Sequence, residues 1–231
     1  MAHQVHPTAI VGPGVELGPD VVVGPYAVLT GPCRIGDGSW IGAHAVIGAA
    51  PEIRGHEPGL PWAEAPEDLG VEIGAGTTVR EFATVHRGTQ RPTRIGDRCF
   101  VMNKVHLGHD AAVGDDVTLA VGAILGGHVD VGDGANLGLA AVLHQRRVVG
   151  PGAMVGMGAV VTRDVPPWAT AFGSPARVRG ANEVGMGRRG FGAAEIARVA
   201  DRYRSGSGAD AGWEPPEALR PAWEWWLART G

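Results

Sequence analysis

The sequence predicts an all-β fold, a parallel β-helix of hexapeptide repeats, followed by a small α-helical C-terminal region. Three observations predict it. Glycine makes up 38 of the 231 residues, about twice its usual share, with no collagen triplet. Val, Leu or Ile recurs every six residues in three runs, Val11 to Ile47, Ile73 to Val85 and Ile95 to Val161, at 22 positions in all. Gly follows the aliphatic at 15 of these positions, and a small or β-branched residue such as Ala27, Ser39, Thr77 or Ala111 stands four places on.

Each hexad reads as one short strand and one turn. The aliphatic fills the interior, the small residue packs beneath it, and glycine supplies a tight or positive-φ turn. One hexad cannot bury its own face, so coils must stack into a continuous core. Repeats of this kind resemble the left-handed parallel β-helix, with three hexads per coil. The 22 hexads then give about seven coils, stacked about 4.8 Å apart. The register breaks at 48–72 and again at 86–94, HRGTQRPTR. Insertions in a solenoid project from one edge, often the functional one.

The β-helix domain is assigned to residues 1–165, and an exit strap with a helical region to 166–231. Within the latter, DVPPWATAFGSPARVRG from Asp164 onward reads as the strap. Ala193–Tyr203 reads as a helix with Ile196, Val199 and Ala200 on one face. A Gly/Ser linker at 205–212 precedes a second helix over Glu217–Arg229, whose Trp223, Trp225, Trp226 and Leu227 are expected to pack on a neighbouring element.

Composition narrows the function. A net charge of −4 with 19% charged residues does not suit a nucleic-acid binder. No apolar run approaches the roughly 18 residues of a membrane span, and the first residues lack the regions of a signal peptide. The two cysteines, Cys33 and Cys99, suit the cytoplasm better than a disulfide scaffold.

Histidine carries the chemistry. His109, His128 and His144 follow Leu107, Leu125 and Leu143, which are 18 residues or one coil apart. Their imidazoles are expected near one edge, about 5 Å apart. His106 precedes the same hexad, His86 stands at the lip of the second insertion, and Asp110 adjoins His109. Such a ridge suits general-base catalysis by a near-neutral imidazole. It also raises zinc, which takes three His and an open position, and a plain polar ridge.

Longer blocks make the reading specific. VHPTAIV at 5–11, REFATVHRGT at 80–89, VMNKVHLGHD at 101–110, GGHVDVGD at 126–133, VLHQ at 142–145, DVPPWATAFGSPA at 164–176 and GMGRRGF at 185–191 resemble, in order, the UDP-N-acetylglucosamine O-acyltransferase family of lipid A biosynthesis. The resemblance implies a cytoplasmic homotrimer with active sites between subunits. Its partners would be acyl carrier protein and a UDP-sugar, with no nucleic acid and no integral membrane contact. It would hold no tight cofactor; the acyl donor is a phosphopantetheine thioester. His109 matches the catalytic base, Asp110 the acid that orients it, and Gly127 the backbone N–H of the oxyanion hole. His86, His106, His128, His144 and Gln145 match residues of the substrate cleft, and Arg188 and Arg189 a basic pair that meets phosphates. Met157 matches the residue that measures the acyl chain. Long-chain members have Gly there, so a short or medium chain is implied, and the resemblance implies a 3-hydroxyacyl group.

The chain also departs from the family. The acceptor loop, usually close to PQDLKY, reads PEIRGHEPG at 51–59, and Lys104 is the sole lysine. Arg54 and His56 are the candidates to replace the missing lysine. Arg146 and Arg147 follow Gln145 where the family continues with an aromatic. Two alternatives therefore stay open: the same chemistry on a different acceptor, with coenzyme A as a possible donor, and a non-catalytic or metal-binding trimer.

Overall fold

The computed structural model describes residues 4–60, 69–205 and 213–231. It is a parallel β-solenoid of three sheets, each built from every third hexad. The first sheet begins at Gln4–Val5 and carries ten strands, the second begins at Ile10–Val11 and carries eight, and the third begins at Val15–Leu17 and carries seven. Only the last strand of the first sheet, Arg177–Ala181, runs antiparallel. The register keeps aliphatic over aliphatic, with Leu107 beside Leu125 and Leu125 beside Leu143. These three and their equivalents from Val23 onward are essentially inaccessible, whereas Val11 in the first coil is 40% exposed. Each such side chain stabilises the fold by roughly 1.5–3 kcal/mol through burial.

The expected seven coils describe the third sheet, while the first is longer at both ends. Val5 adds a rung before the first hexad counted, and Ala169–Phe172 adds one after the last. The strap is therefore largely sheet, since Ala169–Phe172 pairs with Met154–Val155 on one side and Arg177–Ala181 on the other.

Glycine supplies the expected positive-φ turn three places after the aliphatic, as at Gly38 and Gly122, but the glycine directly after the aliphatic does a different job. The left-handed backbone falls three places after the aliphatic, often at non-glycine residues such as Asp20, Lys104, Asp110, His128 and Arg146. The glycine directly after the aliphatic is needed for close approach. A Cβ on Gly108 would lie 2.8 Å from the Gly127 nitrogen of the next coil. Gly48 is an exception that needs both, with φ at +84° and Thr30 O in the way of any side chain.

Three helices follow. α1 (Glu183–Arg188) was not foreseen. Asn182 caps it by accepting from Gly185 N at 3.0 Å, and buried Met186 anchors it. α2 (Ala193–Arg204) buries Val199, Ala200 and Tyr203. α3 (Arg220–Thr230), entered through a 3₁₀ turn at Glu217–Leu219, buries Trp223 and Trp226 and packs on the third sheet at Val148–Val149. Of the expected linker, residues 206–212 lie outside the described residues.

Candidate active site

The turn between the second and third sheets carries His109 and Asp110 in one coil, Gly127 and His128 in the next, and Gln145 and Arg146 in the one after. Equal turn positions therefore stack as His109, Gly127, Gln145 and as Asp110, His128, Arg146.

Asp110 is fully buried, and the second insertion closes around it. Its Oδ1 accepts from the backbone nitrogens of Thr89, Gln90 and Arg91 at 2.9, 2.6 and 2.9 Å. Its Oδ2 accepts from Thr89 Oγ1 at 3.0 Å and meets His109 Nδ1 at 2.6 Å. Burial alone would push this carboxyl up, but the His109, Arg91, Gln90 and Thr89 hydrogen bonds outweigh it and hold it well below the usual carboxylate range. An ionised carboxylate only accepts. The proton on the shared contact therefore sits on His109 Nδ1, which in the neutral ring leaves the lone pair on Nε2.

Nε2 stands over the next coil. A Cβ on Gly127 would lie 2.7 Å from it. Among the described residues the Gly127 N–H donates to no acceptor. A basic nitrogen and a free amide donor thus share one corner. The His128 ring lies edge-on to His109 with centroids 5.0 Å apart, and its Nε2 is 3.7 Å from Asp110 Oδ2. Burial lowers the His128 pKa, partly offset by Asp110 and reinforced by Arg146, His109 and Arg91.

A second pair lies one coil earlier. His86 and His106 have ring centroids 5.0 Å apart. His86 Nδ1 donates to Ala50 O at 2.6 Å, and His106 Nδ1 bonds Thr84 Oγ1 at 2.9 Å. Glu52, from the divergent loop, reaches His106 Nε2 at 3.0 Å and His86 Nε2 at 3.7 Å. Burial lowers the His106 pKa against the pull of Glu52.

The expected single column of three imidazoles is corrected. His109, His128 and His144 occupy the second, third and first turn positions, and successive turn residues point different ways. His144 is exposed and its Nδ1 bonds Gln145 O at 3.1 Å. His109, Asp110 and His128 place three ligand-type atoms within 4.8 Å of one another, as do Glu52, His86 and His106. In the first group both Asp110 oxygens are already saturated by hydrogen bonds, which suits a proton-transfer dyad better than a metal ligand.

Arg188 and Arg189 line a separate cleft of about 650 Å³ with Trp168, Asn182 and Glu183 on the side of the first sheet. Met157 is 74% exposed on the corner between the first and second sheets. Within one chain, neither joins the His109 corner.

Sequence reasoning missed Thr89, Gln90, Arg91 and Glu52. The available signal was the break in the hexads at 86–94, about one coil before Asp110. Arg87 of the same block is buried and structural, its guanidinium donating to Gly48 O.

The chain matches two families, one described as UDP N-acetylglucosamine O-acyltransferase, domain 2, over residues 164–206, and one as bacterial transferase hexapeptide over residues 92–127. The acyl-[acyl-carrier-protein]–UDP-N-acetylglucosamine O-acyltransferase of Syntrophobacter fumaroxidans is 39% identical over 216 residues, covering 87% of this chain and 83% of that one. Its counterpart in Halorhodospira halophila is 41% identical over 223 residues, with the same coverages of 87% and 83%. The solved UDP-N-acetylglucosamine acyltransferase of Campylobacter jejuni superposes with a TM-score of 0.74 at 32% identity, over 87% of this chain and 83% of that one.

Proposed function

The chain belongs to the UDP-N-acetylglucosamine O-acyltransferase family, and we propose that it moves an acyl group from acyl carrier protein to the 3-position of UDP-N-acetylglucosamine. The observation that carries the mechanism is the His109–Asp110 contact of 2.6 Å, which leaves Nε2 as the base. Nε2 takes the proton from the acceptor 3-hydroxyl as its oxygen attacks the thioester carbonyl. The Gly127 N–H meets the resulting oxyanion. Collapse breaks the C–S bond, and the departing pantetheine sulfur receives the proton held on Nε2. The pantetheine arm arrives as the acyl thioester and leaves as the free thiol, so the carrier is a substrate and the step draws on no resident cofactor.

Arg188, Arg189 and Met157 lie away from His109 within one chain, which favours a site completed by a neighbouring subunit of a homotrimer. Exposed Leu139, Met157 and Phe172 along the corner between the first and second sheets offer apolar surface for that contact. In that setting Met157 would cap the acyl groove and set a short or medium chain. Cys33 and Cys99 are both free, in keeping with a cytoplasmic enzyme. Among the described residues no helix is long and apolar enough to cross a membrane.

Glu52 beside His86 and His106 favours a second acceptor, the 3-amino analogue, because a carboxylate attracts an amine more than a hydroxyl. The test is product formation by the purified protein from 3-hydroxyacyl donors on acyl carrier protein or coenzyme A, with each acceptor. Acylated UDP-sugar from the carrier-protein donor is expected, and its absence with every pair would overturn the reading. Met157→Gly should move the preference toward longer donors; an unchanged length profile would remove Met157 from the groove.

A further inference from the structure

Beyond His128 the catalytic corner opens into a cleft of about 420 Å³ whose lining includes Gln90, Arg91, His128, Asp130, Arg146 and Arg229. Three guanidinium groups face one carboxylate there. Asp130 is taken up by Arg91 at 2.8 Å, and Arg91 is further fixed by donating from Nε to Asp110 O at 2.7 Å. Arg229, from α3, lies over the Trp225 ring at 4.0 Å and reaches Trp225 O at 3.2 Å. Arg146 differs from both: its backbone N–H donates to Gly127 O at 3.0 Å, but among the described residues its guanidinium has no hydrogen-bond or ion-pair partner. Its backbone is left-handed, with φ at +60°, in the turn position that His128 holds one coil earlier and Asp110 two coils earlier. The column that holds Asp110 and His128 therefore continues, among the described residues, into a guanidinium with no side-chain partner.

The charge is not spread over a surface. Arg91 is pinned by two contacts and Arg229 by its ring, so two of the three cations are held in place before any ligand arrives, which lowers the cost of binding. Planar guanidinium forks match phosphate oxygens in pairs. Arg146 and Arg91 lie close enough to His128 to depress its pKa after burial, so the positive field reaches the reacting corner.

The geometry points to a phosphate-binding subsite formed by Arg146 with Arg91 and Arg229, separate from the Arg188–Arg189 cleft, that holds a substrate phosphate beside His128. It rests on the acyl-transfer reading for the identity of the substrates but not for the binding itself. Both substrates of that reaction carry phosphate, the pantetheine arm as a monoester or diester and the acceptor as a diphosphate.

The test is calorimetric titration of the full chain with phosphopantetheine, pantetheine and UDP, comparing wild type with Arg146→Asn and Arg229→Ala. Asn tolerates the left-handed backbone at 146, and circular dichroism checks that each variant folds. Loss of a charge-assisted contact should weaken the phosphorylated probe roughly 10- to 100-fold in Arg146→Asn, with a smaller loss in Arg229→Ala and none for pantetheine. A loss confined to phosphopantetheine assigns the subsite to the donor, and one confined to UDP assigns it to the acceptor. Unchanged affinity for both phosphorylated probes, or no binding of either by the wild type, overturns the subsite. Because the readout is binding, a protein that transfers no acyl group still decides the question.

Discussion

Gly127→Ala isolates the geometry of the base from its chemistry. The added methyl would stand 2.7 Å from His109 Nε2, 2.9 Å from Cε1 and 3.2 Å from Cδ2. Non-bonded heavy atoms prefer about 3.5 Å or more, so the ring must move by about 0.8 Å. It has little room, since Nδ1 is tied to Asp110 at 2.6 Å and His128 lies edge-on at 5.0 Å. The backbone at Gly127 is outside the left-handed region, so alanine brings no conformational penalty there. A misplacement near 1 Å costs about 10²-fold in rate, and the methyl also crowds the space of the oxyanion. We expect kcat to fall about 10²-fold with the melting temperature nearly unchanged. Steady-state kinetics with a carrier-protein donor and a melting curve measure both. Wild-type turnover in Gly127→Ala would refute the placement of the reacting atoms at Nε2.

The remaining predictions concern support for that corner. Asp110→Asn removes the acceptor that fixes the His109 tautomer, so turnover should fall by at least about 10²-fold. Because the Asp110 pKa is depressed in the folded state, its stabilisation is complete above the unfolded value of about 3.9 and is lost as pH falls below it. The gap in urea midpoint between wild type and Asp110→Asn should therefore be constant near neutral pH and shrink below about pH 4. Leu125→Ala, at an essentially inaccessible core position, should cost about 2–5 kcal/mol in urea unfolding; a loss under about 1 kcal/mol would mean that the coil collapses around the cavity.

The interior of the fold was legible because hexad position decides burial: each aliphatic from Val23 to Val161 reads straight into the core. The turns were less so. Glycine after the aliphatic suggested positive φ, whereas it answers to the backbone of the next coil, a contact between residues 18 or more apart. His109 and Asp110 were legible as a pair in VHLGHD. The amides of Thr89, Gln90 and Arg91 were not, because backbone donors leave no side-chain signature and act across an insertion. Glu52 was hidden for a different reason: its partners His86 and His106 are distant in sequence and are brought to it by coil stacking. α1 escaped notice because Gly185 and Gly187 have low helix propensity, yet Asn182 before Glu183 was a readable N-cap.

The assignment of His109 Nε2 as the base is tested most directly by His109→Ala. The ring is 15% exposed at a turn, so the solenoid core should be untouched, and circular dichroism with a melting curve checks this. Turnover of carrier-protein donor and UDP-sugar acceptor should fall roughly 10²- to 10⁴-fold in the folded variant. Turnover near that of the wild type in the folded variant would contradict the account.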